Sequence, residues 1–115
     1  MTFSVREIKR VNINKCHNGV GDVLFREIFK EDNFQSNLEF LHETIIKPNS
    51  TIGYHLHLCN EEIYYVISGT GLMMVDGEMR RVVSGDAVIT HSGSSHGLIN
   101  DSDSDLKILV FQSKY

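Results

Sequence analysis

The sequence of 115 residues lacks several features that define common classes of protein. Proline occurs once and cysteine twice, so neither a proline-rich linker nor a disulfide framework is expected, and the two thiols suit a reducing compartment. No apolar run approaches the roughly 20 residues that span a bilayer, and no basic start precedes an apolar stretch as in a signal peptide. We therefore expect a cytoplasmic protein with no membrane partner.

Clusters of positive charge are also missing. The formal net charge is −4, and no run of Lys or Arg is longer than the pair Arg80–Arg81. Nucleic-acid binding depends on neutralising several phosphates, so no nucleic-acid partner is expected.

The length suits one domain. We expect that domain to cover 1–115, with N-terminal strands within 1–37 and a motif-bearing core at about 38–111.

Short β-branched and aromatic runs recur along the chain, separated by turn residues, and no segment keeps a helical period over three turns. This pattern predicts an all-β sandwich or barrel. Strands are predicted near 23–29, 38–46, 52–58, 62–67, 71–75, 79–83, 86–90, 96–100 and 106–111. The pair Asp76-Gly77 predicts a type I′ hairpin between two of them.

The predicted strand at 62–67 carries apolar side chains on both faces. Alternation places Glu62, Tyr64 and Val66 on one face, and Ile63, Tyr65 and Ile67 on the other. A closed barrel would cover the first face, and the second needs another sheet, an N-terminal strand or a partner subunit. Together with the hydrophobic segment 23–29, this outer face leads us to expect a homodimer.

Three histidines and one glutamate have a spacing that suits a metal site. His55 and His57, two residues apart in a strand, present their imidazoles to the same side. Glu62 opens the next strand and His96 opens a much later one, which only barrel closure brings to the same point. Three nitrogens and one oxygen suit a single divalent transition metal, among Mn, Fe, Ni, Zn, Co and Cu. Two adjacent positions of an octahedral ion would stay open for water, substrate or dioxygen.

The same stretches resemble the two sequence motifs of the cupin superfamily. The first motif is matched at His55, His57, Glu62 and Gly69, and the second at Gly85, Gly93, His96 and Asn100. The resemblance extends over roughly 38–111 and implies a double-stranded β-helix, or jelly-roll barrel. It also implies that the four ligand candidates hold the metal, and we assign no residue to the binding of an organic cofactor.

Two positions depart from the motifs. Asn49 replaces a glycine, and because Asn tolerates the left-handed conformation, we expect the turn to be kept. His91 replaces a proline and is either an exposed loop residue or a catalytic group in proton transfer. Tyr64 shares the face of Glu62, so it is the second catalytic candidate, with core packing as the alternative.

For four other residues, a structural role is favoured over a functional one. His42 is interpreted as a barrel histidine whose hydrogen bonds are satisfied. Cys59 is interpreted as an unreactive loop residue near the mouth of the barrel, with a reactive thiol as the less favoured alternative. Cys16 and His17 lack the second half of a zinc motif and are interpreted as incidental.

The cavity-forming segments contain no cation, because no Lys or Arg occurs within 51–79 or 82–106. Only Arg26, Lys30 or Lys47 remains to anchor a second negative charge, which disfavours phosphosugar and oxalate-decarboxylase-like readings without excluding them. The favoured hypothesis is a metal-dependent enzyme of the isomerase, lyase or oxygenase type, acting on a small carbohydrate or a hydroxy or keto acid. The alternative is a non-catalytic cupin that binds or senses a small molecule.

Overall fold

The structure is a computed structural model that describes residues 2–115 and contains ten β-strands and two short 3-10 turns. The strands are β1 (Val11–Asn14), β2 (Asp22–Lys30), β3 (Leu38–Ile46), β4 (Thr51–Leu56), β5 (Asn60–Ser68), β6 (Thr70–Val75), β7 (Glu78–Val83), β8 (Ala87–Thr90), β9 (Ser95–Ile99) and β10 (Leu106–Lys114). The turns lie at Cys16–Asn18 and Glu31–Asn33, and the described residues form no longer helix.

The strands form two antiparallel sheets that face each other. One sheet has six strands in the order β1-β2-β3-β10-β5-β8, and the other has four in the order β4-β9-β6-β7. Strands distant in sequence lie side by side, as where β10 joins β3 to β5. This is the all-β jelly roll predicted from the sequence. None of the helical segments in residues 2–115 has the length and apolar character of a membrane span.

Alternation of side chains explains where the core lies. In β5, Glu62, Tyr64 and Val66 are buried between the sheets, whereas Tyr65 is exposed on the outer surface. The fully buried apolar side chains come from both sheets: Val23, Ile46, Val66, Leu98, Leu106 and Ile108. The predicted assignment of these side chains to an inner and an outer face is confirmed. The outer face is partly exposed in the single chain.

All nine predicted strands are present, with ends that differ by up to three residues. The tight turn is confirmed, since Asp76 and Gly77 both have positive φ (47° and 82°), as a type I′ hairpin requires. Asn49 adopts φ 58°, so the expected left-handed turn is kept. The sequence analysis missed β1, a short edge strand that is largely exposed and therefore carries little hydrophobic signal.

Candidate metal centre

The four predicted ligand residues converge inside the barrel. One ligand atom from each of His55, His57, Glu62 and His96 lies within 4.8 Å of the others, an arrangement consistent with a single metal ion. The Nε2 atom of His57 lies 2.9 Å from that of His96 and 3.2 Å from that of His55. The Oε1 atom of Glu62 lies 3.2 Å from His96 Nε2 and 3.3 Å from His57 Nε2.

The other nitrogen of each imidazole has its own oxygen partner. Nδ1 of His55 lies 2.6 Å from the Gly53 carbonyl, and Nδ1 of His57 lies 2.8 Å from Asn60 Oδ1. Nδ1 of His96 lies 2.7 Å from Thr90 Oγ1. The two carbonyl oxygens accept hydrogen bonds, so Nδ1 of His55 and His57 carries the proton and Nε2 presents a lone pair. Converging lone pairs beside a carboxylate repel one another unless a cation lies between them. The four side chains therefore form a donor set that suits a metal ion.

The protonation of these groups also suits a cation. Burial lowers the pKa of His55 to about 4, which keeps its ring neutral. Burial alone would raise the pKa of Glu62, but the adjacent imidazoles of His57 and His96 outweigh it and lower the pKa to about 2. The neighbouring Glu62 carboxylate favours the protonated ring and raises the pKa of His57 above its usual value. The site therefore combines a firmly ionised carboxylate with imidazoles that differ in proton affinity.

Residues of the second sequence motif form hydrogen bonds with the backbone of His57. The N–H of His57 donates to the Ser94 carbonyl (2.9 Å), and the N–H of Gly93 donates to the His57 carbonyl (2.7 Å). Gly93 has φ 90°, a conformation that side chains with a Cβ rarely adopt. The pairing of β4 with β9 also shifts register between Ile52 and His55, a bulge that aims the histidines inward.

The two catalytic candidates have different positions. Tyr64 is buried at the cluster, with Oη 3.3 Å from His96 Nε2, and burial raises its pKa well above the usual value. His91 is exposed, and its Nδ1 lies 3.0 Å from Glu61 Oε2. The structure thus brings Tyr64 to the cluster and does not bring His91 there. The exposed Cys59 does not line the cavity either.

Cys16 and His17, interpreted as incidental from the sequence, line the cavity beside the cluster. The His17 ring stacks on the ring of His55, with centroids 3.7 Å apart and planes within 8°. The loop can lie this close because Gly53 has no side chain, since a Cβ there would be 2.1 Å from the His17 carbonyl oxygen. No local pattern links 16–17 to the motifs, so the sequence carried no signal for this contact.

Asn60 and Thr90, the partners of His57 and His96, were also missed. Asn60 lies two residues before Glu62 in the same strand, so alternation places both on the inner face. Thr90 closes β8 and pairs with Glu62 across the sheet. The alternation pattern was a usable signal for Asn60, whereas Thr90 required the strand pairing.

A cavity of about 340 Å³ leads from the cluster between the sheets. His57, Glu62 and Tyr64 form its inner end. Most of its wall is apolar, formed by Ile13, Val23, Phe25, Phe40, Ile52 and Val110. No Lys or Arg of residues 2–115 lines it, which agrees with the absence of cations noted in the sequence.

Two of the three cations that the sequence left as possible anchors have other partners. Arg26 donates to Glu43 and to the Arg6 carbonyl, and Lys47 pairs with Asp105. They anchor the fold rather than a ligand.

His42 lines the same cavity, but its hydrogen bonding differs from the prediction. Its buried Nε2 has no hydrogen-bond partner within residues 2–115. The Glu27 Oε2 atom lies 3.5 Å from it, a contact that is an ion pair only when the His42 ring is protonated. The expectation of a satisfied barrel histidine was therefore wrong in this respect.

Comparison with known proteins agrees with the fold and the site. A cupin-domain model matches residues 42–112. The oxalate-binding protein of Thermotoga maritima is 28% identical over 110 residues, covering 96% of this chain and 91% of the relative. An uncharacterized protein of Methanocaldococcus jannaschii is 33% identical over 86 residues, covering 75% and 69%. The crystal structure of a predicted oxalate decarboxylase from Thermotoga maritima superposes with a TM-score of 0.95 at 26% identity, covering 100% of both chains.

The chain belongs to the cupin family. Its matched segment contains the four residues of the cluster, Tyr64 and His42. The residues Cys16 and His17 lie outside that segment.

Proposed function

We propose that this cupin is a metal-dependent enzyme acting on a small hydroxy or keto acid that chelates the metal. The observation that carries the proposal is the convergence of three imidazole Nε2 atoms and a carboxylate beside a cavity that His57 and Glu62 line. His55, His57, Glu62 and His96 would hold one divalent ion, which polarises a coordinated carbonyl or carboxylate when bound. The cavity then admits a ligand of small-molecule size, within the usual range of roughly 300–1,000 Å³.

Tyr64 is the protein group best placed to act on that ligand. Its hydroxyl lies at the cluster, and its raised pKa keeps the phenol protonated at neutral pH. A protonated phenol donates a hydrogen bond, so Tyr64 would stabilise negative charge that develops on the ligand. The lyase type is the reaction class that we favour, because of the similarity to a predicted oxalate decarboxylase.

A second candidate is binding without conversion. One relative is named an oxalate-binding protein, and metal chelation by itself is sufficient to hold a small dicarboxylate. A longer dianion would need a cationic side chain to bind its second carboxylate, and the described residues place none in the cavity. Oxalate does not need one, because both of its carboxylates can coordinate the same metal ion. Oxalate is therefore the first ligand to test for either function.

The metal assignment is tested by His57→Ala, with His91→Ala as a matched control that removes an exposed histidine outside the cluster. Protein purified without an affinity tag is analysed for bound metal. We expect occupancy to fall severely in His57→Ala and to stay unchanged in His91→Ala, with both variants folded. Full occupancy in His57→Ala would remove the cluster from metal binding.

Metal-loaded protein is then incubated with oxalate and followed by ¹³C NMR. Loss of oxalate that depends on Tyr64, measured with Tyr64→Phe, would support the enzyme. Oxalate that binds and is recovered intact after prolonged incubation would favour the binding protein instead.

A further inference from the structure

We infer that the natural ligand is a monocarboxylate: a 2-hydroxy or 2-keto acid whose side chain is apolar and lies in the cavity beside the metal cluster. The inference rests on the proposed function, because the acid end of the ligand is placed on the metal. It goes further by assigning the chemical class of the rest of the ligand. The observation behind it is the wall of the cavity away from the cluster, which is mostly apolar and contains no charged side chain among the described residues.

The cavity extends away from the cluster across the six-stranded sheet. Gln112 of β10 pairs with Glu62 of β5 on one side and with Phe40 of β3 on the other, and all three residues line the cavity. The lining residues therefore span at least two strand spacings, or about 10 Å. Phe25, on the next strand β2, lines the cavity as well. A ligand coordinated at the cluster thus has room for a side chain on the side of β3 and β2.

The volume of the cavity also exceeds what a bare chelating acid needs. It measures about 340 Å³. The two joined carboxylates of oxalate take the place of roughly three water molecules, or about 90 Å³. With oxalate bound, the rest of the cavity would stay empty or would hold water against apolar side chains, which is unfavourable.

The side chains beyond the cluster determine what can fill this space. Five strands contribute aliphatic and aromatic groups to the wall: Ile13, Val23, Phe25, Phe40, Ile52 and Val110. An alkyl or aryl group of the ligand that contacts them is removed from water, which stabilises the complex in proportion to the apolar area buried. The wall therefore favours an apolar side chain on the ligand.

A second carboxylate on that side chain would have no partner. The part of the chain that the structure describes contributes no Lys or Arg to the cavity. Apart from the cluster and the Cys16–Asn18 turn, the polar wall residues are His42, Thr44 and Gln112. Burial lowers the pKa of His42, although Glu27 opposes the shift, so the ring is neutral. Since a carboxylate is costly to bury without a cation, a dicarboxylate longer than oxalate is disfavoured.

The test measures the affinity of four probes for the metal-loaded protein by isothermal titration calorimetry. Three of them, lactate, 2-hydroxy-4-methylpentanoate and malate, share the 2-hydroxy acid group. They differ only in the side chain, which is a methyl, an isobutyl or a carboxymethyl group. Oxalate is the fourth probe, and bound metal is measured separately in every sample.

Two variants remove separate parts of the apolar wall, so the test does not depend on the folding of one of them. They are Phe40→Ala and Phe25→Ala, and neither residue belongs to the metal cluster. The matched control is Phe29→Ala. Phe29 lies on β2 like Phe25 and is also half-buried, but it does not line the cavity.

We expect the native protein to bind 2-hydroxy-4-methylpentanoate about 10- to 60-fold more tightly than lactate, because each of the three additional carbons gains up to about fourfold when buried. Malate should bind no more tightly than lactate. Phe40→Ala and Phe25→Ala should each reduce the preference for the isobutyl acid by about fivefold and leave the affinities for lactate and oxalate unchanged. Phe29→Ala should keep the preference.

Three results would overturn the inference and leave the proposed function in place. The first is binding of oxalate alone or a preference for malate. The second is equal affinity for lactate and the isobutyl acid. The third is a preference that persists in both wall variants or falls equally in Phe29→Ala. Failure of all four probes to bind protein with full metal occupancy would overturn the proposed function, and this inference with it.

Discussion

The hydrogen bond between Thr90 and His96 offers a sharp test of how this site is held. Both side chains are almost fully buried, and Thr90 Oγ1 lies 2.7 Å from His96 Nδ1. Thr90→Val keeps the shape of the side chain and removes the hydroxyl. The His96 ring then loses the Nδ1 partner that holds its angle, while all four ligand residues remain in place.

The expected magnitude follows from the burial of the pair. An imidazole N–H left unpaired in the interior costs about 1–3 kcal/mol. Part of that cost is recovered if the ring turns, which directs Nε2 away from the cluster, or switches tautomer, which puts the proton on Nε2 and removes the lone pair that binds the metal. Loss of an outer partner of this kind lowers metal affinity by about 10- to 100-fold, and we expect a loss in that range.

The dissociation constant is measured by competition with a chromophoric chelator. Thr44→Val is the control, because Thr44 is also buried and lines the cavity but makes no hydrogen bond to the cluster. We expect it to bind metal within about threefold of the native protein, the range of an ordinary buried substitution. The reasoning would be refuted if Thr90→Val bound metal as tightly as the native protein, or if Thr44→Val lost as much affinity.

Four further predictions concern the same barrel. Metal affinity should fall as the pH drops through the raised pKa of His57 and be weak below about pH 6, because the protonated ring has no lone pair to give; titrations at pH 5.5 and 7.5 that agree would contradict this. The chain should be a homodimer in light scattering at micromolar concentration, and a charge placed on the exposed outer face by Tyr65→Lys should yield a monomer; a native monomer would dismiss the predicted dimer. His17→Ala should weaken metal binding by a few-fold through loss of the stack on His55, and His17→Phe should restore it; loss in both variants would point to a role of the nitrogens. His91→Pro should leave metal affinity unchanged. If His91 has the catalytic role predicted from the sequence, turnover in this variant should fall by about 10². Unchanged turnover would remove His91 from the mechanism.

Much of the barrel was predictable because its strands follow a period of two. The alternation of Glu62, Tyr64 and Val66 against Tyr65 assigned the inner face correctly, and the pair Asp76-Gly77 marked its hairpin. The short strand β1 was missed, since its exposed residues give no such pattern. Local signals of this kind need no knowledge of which strands pair.

The surroundings of the cluster show the limit of local patterns. The sequence identified the four ligand residues through their spacing and their resemblance to cupin motifs, and the structure brings them together. It did not reveal that His17 stacks on His55, because the contact depends on a loop folding over Gly53. Nor did it show that Nε2 of His42, a residue of the cavity wall, has no hydrogen-bond partner within residues 2–115.

What the sequence determined by itself was therefore the all-β class, the inner and outer faces of the strands, and the residues able to bind a metal. These properties follow from side-chain chemistry and from alternation between neighbouring residues. The tertiary structure alone decided the tautomers of His55 and His57, the apolar wall of the cavity, and the positions of Arg26 and Lys47 outside it. Each of these depends on distances between strands far apart in sequence, which are set only when the two sheets close on each other.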